Sequence, residues 1–295
     1  DEAIQNFRRA LELRPDQTKD RNNLGKALLQ QGRFAEAMDE FQAALRISPT
    51  DPVTENNIGA AYLQKDDVEN ALDHLRKAVR EGPRNADAYI NFGNALLKKR
   101  DFDAAIAAYS ATLELPFDQA ESHYSIANAL RQKGENGDAI LHYQLAIQLR
   151  PDYVDAHNNL ANALRQQGRI GEAIQEYQAA LKYRPQFLLA QNNLAWILAT
   201  AADSRLRNGS KAVELAEKAV LATNGNDPIF LHTLAAAYAE NGEFEKAVAA
   251  AQDSLAIADA NGLTSLAESL RNKIALYQSG SAYHESAPAP RESSH

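Results

Sequence analysis

Asparagine recurs in this chain on a register of 34 residues, at Asn23, Asn57, Asn91, Asn159 and Asn193, with Ser125 at the one place in the series without an amide. On length alone, 295 residues would divide into two globular domains. A 34-residue period instead implies small supersecondary units, each burying its apolar side only by stacking on its neighbours. Proline keeps the same register at Pro15, Pro49, Pro83, Pro151 and Pro185, with Phe117 at the skipped position and Pro116 just before it. Each proline ends a helix and biases the residue before it towards extended backbone, so each closes a unit.

Between these stops the apolar spacing is helical twice per unit. In the unit over 18–51, Leu24 and Leu28 pair on a first helix, Gly32 ends it, and Ala37, Phe41, Ala44 and Leu45 line a second. The first-helix anchor recurs as Ile58, Phe92, Ile126 and Leu160. On the second helix a small residue (Ala71, Ala105, Ala139, Ala173) precedes a large one (Leu75, Tyr109, Tyr143, Tyr177). Such alternation lets antiparallel helices approach and interlock. Gly25, Gly59 and Gly93, then Ala127, Ala161 and Ala195, imply a matching close approach on the first helix.

On these residues the chain resembles a tetratricopeptide repeat (TPR) protein over roughly residues 1–261. The resemblance implies an all-α fold, a right-handed α-solenoid superhelix of antiparallel helix pairs. The expected units are 18–51, 52–85, 86–119, 120–153, 154–187, 188–227 and 228–261. In the sixth, Ala212 stands five residues late, so Thr200 to Ser210 should form an enlarged turn. Leu266, Leu270, Ile274 and Tyr277 define a capping helix over 262–278, and the Ser, Pro, Glu and His composition of 279–295 reads as a disordered tail. Residues 1–17 match only the second helix of a unit. Its missing partner would leave Ile4, Phe7 and Leu11 exposed, so the expectation is a piece of a longer protein, with homo-association through that helix as a further possibility and a fraying native end as the alternative.

At about 100° per residue, unit positions 2, 5, 6, 9, 12 and 13 share a stripe opposite the packing face of the first helix. The resemblance makes that stripe the lining of a concave groove. Its candidate binding residues are Asn22, Asn23, Lys26, Asn56, Asn57, Asn91, Asn94, Ser125, Asn128, Asn158, Asn159, Asn162, Asn192, Asn193 and Trp196. Asparagine is a poor mid-helix residue, because its amide competes for backbone hydrogen bonds, so its repetition needs a reason. An amide carries both donor and acceptor and can pair with a peptide unit of an extended partner. The stripe also resembles the TPR superhelix of O-linked N-acetylglucosamine transferases, where an asparagine ladder holds extended peptides. The run PDYVDAHNNLANAL carries that likeness most closely. Alternatively, the amides bond neighbouring helices and orient the stack, or duplication of the repeat copied them. Trp196, with Leu189, Ala199, Ile229 and Ala236 on the same stripe, makes the C-terminal end of the groove more apolar.

The composition narrows the partners. A net charge of -8 gives no general attraction to nucleic acid or to anionic lipid. The absence of cysteine is compatible with a cytoplasmic or a periplasmic setting. No run of about 18 apolar residues suggests a membrane span. No HExxH motif or glycine-rich phosphate loop is present, and His123 and His157 occupy equivalent packing positions, so no catalytic, metal or cofactor site is expected. His232 lies on the stripe. Recognition of an acidic C-terminus by a TPR carboxylate clamp is disfavoured, since Asn22 and Lys26 hold the clamp's places in reversed order and Asp87, Glu121 and Asp155 add negative charge. The expected function is a non-enzymatic scaffold that binds an extended protein or peptide segment. The alternative is a substrate-presenting or regulatory arm of a larger enzyme such as a glycosyltransferase.

Overall fold

The computed structural model describes residues 2–286, and the regular elements among these are all helices. They form two compact units that part between Leu149 and Arg150. The first holds α1 (Glu2–Leu13), α2 (Thr18–Gln30), α3 (Phe34–Ile47), α4 (Pro52–Gln64), α5 (Val68–Glu81), α6 (Ala86–Lys98), α7 (Phe102–Ala111), α8 (Gln119–Lys133) and α9 (Asn136–Leu149). The second holds α10 (Val154–Gln166), α11 (Ile170–Tyr183), α12 (Leu188–Thr200), α13 (Gly209–Ala222), α14 (Pro228–Glu240), α15 (Phe244–Ala260) and α16 (Thr264–Gln278).

The sequence chemistry that starts many of these helices is visible at the cap. Asp51, Asp67, Asn85, Asp101, Asp118, Asn208 and Asp227 each accept a hydrogen bond from a backbone N–H of the first turn. Pro52 and Pro228 stand at the first helical turn, where a missing N–H does no harm. Outside the long turn between α12 and α13, the turn within a helix pair has one residue at positive φ, supplied in four pairs by Gly32, Gly134, Gly168 and Gly242. Asp66 (φ 60°) and Arg100 (φ 66°) take that conformation with a side chain.

The alternation of small and large residues builds the core. Ala37, Ala71, Ala105, Ala139 and Ala173 are fully buried, and Phe41, Leu75, Tyr109, Tyr143 and Tyr177 are among the largest buried side chains. A Cβ on Gly25 would stand 2.7 Å from Phe41 Cζ, one on Gly59 2.8 Å from Leu75 Cδ2, and one on Gly93 2.7 Å from Tyr109 Cζ. The mid-helix glycines therefore make room for the large residue of the opposing helix. That packing offsets the roughly 0.5–1 kcal/mol that glycine costs a helix.

The helix at the N-terminus corrects one expectation. Ile4 and Leu11 are buried, in a cluster with Leu24, Leu28, Phe41 and the partly buried Phe7. Helix α1 lays its apolar side on α2, as the second helix of one repeat does on the first helix of the next. Those residues are thus covered within the chain and supply no free surface for self-association. Of the large apolar residues on this helix, Leu13 alone is strongly exposed, at 78%.

Two irregular places have local causes. Helix α7 gives way to a 3-10 turn over Thr112–Glu114, and Leu115, before Pro116, is extended. The long turn after α12 contains a second 3-10 turn, Ser204–Leu206. It is fastened by Asn208 N–H donating to the Leu198 carbonyl at 2.8 Å and by Arg207 pairing with Glu240 at 2.9 Å.

Candidate functional site

The periodic asparagines bond to one another across consecutive repeats. Asn57 Nδ2 donates to Asn22 Oδ1 at 3.3 Å, Asn91 Nδ2 to Asn56 Oδ1 at 2.9 Å, and Asn193 Nδ2 to Asn158 Oδ1 at 3.5 Å. In each case position 6 of one repeat donates to position 5 of the repeat before it. Asn22, Asn56, Asn57, Asn158 and Asn192 are all buried, so most of each side chain is taken up by the stack. Asn22 also donates to Thr54 Oγ1 at 2.8 Å, and Asn158 to Asn159 Oδ1 at 3.2 Å. Asn192 is the exception: its Oδ1 is buried with no hydrogen-bond partner among the described residues. The residue due to donate to it is Thr233, whose hydroxyl bonds the Ile229 carbonyl instead, at 3.2 Å.

A second pairing ties the two helices within a repeat. Tyr109, Tyr143 and Tyr177 donate their hydroxyls to Asn94, Asn128 and Asn162 Oδ1 at 2.7, 2.6 and 2.6 Å. Burial pushes the Tyr109 and Tyr177 phenols well above their ordinary range, which keeps them as donors. Where position 24 is Phe41 or Leu75, position 9 is Lys26 or Ala60. A tyrosine in the core thus goes with an asparagine fifteen residues earlier. That correlation is written in the sequence, and it gives three residues of the stripe a structural partner.

In the first unit Lys26 and four of the amides border two surface depressions. Lys26, Asn56 and Asn57 line one of about 570 Å³, with Pro52, Arg84 and Asp87. Asn91 and Asn94 line another of about 490 Å³, with Gln64 and Lys98. Ser125 is buried, and Asn23 is half-buried without a side-chain hydrogen bond among the described residues.

In the second unit the site is built around Trp196. Its ring lies 4.8 Å from that of His232, and the Lys273 ammonium stands 5.8 Å from its centroid. Burial, with Lys273 nearby, pushes His232 down to about 4, so its imidazole is neutral at physiological pH. Its buried Nε2 has no partner among the described residues. Lys273 is itself buried; burial lowers its pKa and the Glu285 carboxylate partly offsets this. Leu189 and Ile229 are exposed at 53% and 54%, whereas Ala199 and Ala236 are buried and present no surface.

The chain after α16 reaches this site, although its composition from Ser279 onward is that of a disordered tail. The Tyr283 ring centroid is 4.3 Å from Lys273 Nζ, and the ring lies 6.2 Å from that of Trp196. Trp196 Nε1 donates to Glu285 Oε1 at 2.7 Å. The rest of the expected tail, 287–295, lies outside the described residues. The periodic signal does not reach Lys273, Tyr283 and Glu285, because they belong to no repeat.

His74, His123, His142 and His157 serve contacts between the two helices of a repeat. Positions 4 and 23 form a polar pair between the two helices: Arg21 with Glu40 at 2.8 Å, Glu55 with His74 at 2.5 Å, His123 with His142 at 3.0 Å, and His157 with Glu176 at 2.6 Å. His157 Nε2 also donates to the Pro151 carbonyl at 2.9 Å. Both ring nitrogens of His157 thus face acceptors, an arrangement that only the imidazolium satisfies in full. Burial opposes that charge, but the bonds to Glu176 and Pro151 outweigh it and raise the pKa. His123 and His142 face each other, and burial lowers both.

These repeats match known families. Tetratricopeptide repeat profiles match residues 1–52 and 56–116, and again 228–253, while the TPR repeat profile matches 127–168 and 161–199. The chain is a tetratricopeptide repeat protein. No curated protein matches it in sequence. Among solved structures, a chain of the APC/C hetero-tetramer Cut9-Hcn1 aligns with a TM-score of 0.66 at 19% identity, over 92% of this chain and 52% of that one. YrrB aligns at 0.51 and 20% identity, over 63% of this chain and 96% of that one. PilF of Pseudomonas aeruginosa aligns at 0.59 and 17% identity, over 70% and 92%. At these identities the likeness is one of fold. Among the described residues no helix is long and apolar enough to cross a membrane.

Proposed function

We propose that this protein is a non-enzymatic interaction scaffold that binds an extended peptide segment across the open face of its first helices. The observation that supports it is the half-used state of the amide ladder. The half-buried Asn91 and Asn193 each donate Nδ2 to the stack, and their Oδ1 atoms have no partner among the described residues. A primary amide has two N–H donors and two acceptor lone pairs, so each retains capacity for a peptide unit. The stacking bond fixes the side chain beforehand, which lowers the ordering cost of binding. YrrB, whose fold this chain resembles, is a TPR protein with an unusual peptide-binding site.

Stacking and recognition are therefore two uses of one residue. At about 0.5–1.5 kcal/mol per hydrogen bond, a few rungs give weak, sequence-tolerant capture, since micromolar affinity needs about 8 kcal/mol. Specificity falls to side-chain pockets, of which the Trp196 site is the most developed.

Asn23 gives the cleanest test, because it makes no stacking bond. An array of short unstructured peptides probed with the wild type, Asn23→Ala and Asn91→Ala should show binding reduced about two- to tenfold by either substitution, with helicity kept by circular dichroism. Equal binding by all three proteins would remove the ladder from recognition.

A further inference from the structure

The segment after α16 sits on the Trp196 site as a bound peptide would. Ser281 N–H donates to the Leu276 carbonyl at 3.2 Å and turns the chain off the helix. Glu285 N–H then donates to the carbonyl of Thr200 at 2.7 Å. Thr200 ends α12, where carbonyls have no partner within the helix, so the segment satisfies by its backbone a group the repeat leaves open. The side chains alternate in what they meet. Tyr283 and Glu285 both meet the Trp196 side: the tyrosine ring lies against Lys273, and the carboxylate takes the Trp196 N–H with Arg165 at 3.7 Å. His284, between them, bonds Glu240 at 2.7 Å. Four helices, α10, α12, α14 and α16, thus each contribute a side chain to three consecutive residues.

None of these contacts depends on the segment's being tethered. Tyr283 and Glu285 are half-buried and His284 is only partly covered, so the contacts bury little apolar surface and open readily. The occupant also leaves His232 Nε2 buried beside the indole, unpartnered among the described residues. A longer or deeper-reaching segment would gain a hydrogen bond that the tail does not make.

We propose that the Trp196 site recognises an extended peptide with an aromatic residue two places before a carboxylate, and that Tyr283-His284-Glu285 occupies it in cis until a partner of the same chemistry displaces it. The inference rests on the scaffold reading above and gives that scaffold a ligand class and a built-in competitor. A tether of a few residues from α16 holds the tail at a local concentration on the order of millimolar. Only a partner with additional contacts overcomes that.

Trp196 is the only tryptophan in the chain, so its emission reports occupancy directly. The test uses the full chain, its Tyr283→Ala/Glu285→Ala variant and a labelled peptide of residues 279–286. Both substitutions lie outside the helices, and unchanged far-ultraviolet circular dichroism verifies the fold. The variant's emission should move to the red, and the added peptide should reverse that shift. The peptide should bind the variant at least ~10-fold more tightly than the wild type. A peptide with both residues replaced by alanine should not bind. Unchanged emission on substitution, or equal peptide affinity for the two chains, overturns the proposal. If the variant captures peptides lacking the aromatic and acidic residues as well as it captures the tail peptide, the ligand class assigned here falls while the scaffold reading stands. If it captures no peptide of either kind, both fall.

Discussion

Asn91 donates its amide to the Asn56 oxygen at 2.9 Å, joining the first helices of consecutive repeats. Asn56 is buried, so Asn91→Ala strands an acceptor away from water, at a cost of about 1–3 kcal/mol. Asn56→Ala instead leaves the half-buried Asn91 amide able to find water. A double-mutant cycle read from urea unfolding should therefore show a coupling of about 0.5–1.5 kcal/mol between the two positions. Strictly additive effects would mean that the bond contributes nothing to the stack.

Asn192 is an acceptor whose rung was never completed. Its Oδ1 is buried without a donor among the described residues because Thr233 stands where other repeats offer an asparagine. Thr233→Asn should complete the missing rung and raise stability by about 0.5–1.5 kcal/mol, seen as a higher urea midpoint. Thr233 is only 2% exposed, so the larger side chain must seat within the α12–α14 contact. A drop in the midpoint would show that the site cannot accommodate it and that the threonine is held by packing.

The helix pairs are legible in the sequence because their packing repeats: Gly25 against Phe41 and Gly93 against Tyr109 are the same contact made in two repeats. The asparagine period is equally plain, but a period alone cannot separate a residue that points at a partner from one that bonds the next repeat. The offset between Asn56 and Asn91, 35 residues and not 34, carries that information. So does the fifteen-residue spacing of Asn94 and Tyr109. The bond from Trp196 to Glu285 joins residues 89 apart, with no periodicity to announce it. The burial of Ile4 and Leu11 escapes the sequence pattern for a related reason: a lone second helix suggests an uncovered side, yet α2 supplies the cover.

Arg100 holds the left-handed turn conformation that Gly32, Gly134 and Gly168 hold elsewhere, with φ of 66°. A side chain there is strained by roughly 1–2 kcal/mol, and glycine's larger loss of backbone freedom offsets roughly 0.5–1 kcal/mol of the relief. Arg100→Gly should therefore stabilise the first unit by about 0.5–1 kcal/mol. Arg100→Ala, which keeps the Cβ, should not. The pair of thermal melts separates backbone strain from loss of the Arg100 contact with the Phe102 ring, 5.6 Å away.

The position 4 and 23 pairs predict opposite pH responses in two repeats of one chain. His123 and His142 have folded pKa values below the ordinary 6.5: burial disfavours both charges, the His123 proton repels that of His142, and Asp138 only partly compensates at His142. A depressed imidazole value means that the neutral pair stabilises the fold above about pH 6.5, and that this contribution is lost as pH falls below it. At His157 burial opposes the charge, but Glu176 and the Pro151 carbonyl raise the pKa against it. Its contribution is therefore complete below about pH 6.5 and is lost as pH rises through the folded value. Nuclear magnetic resonance titration of the imidazole Cε1–H signals should place His157 above 6.5 and the His123–His142 pair below it. Glu176→Gln should bring His157 down while leaving the pair where it is. If His157 titrates at or below about 6.5 in the wild type, the charged hydrogen-bond pair between α10 and α11 is not formed.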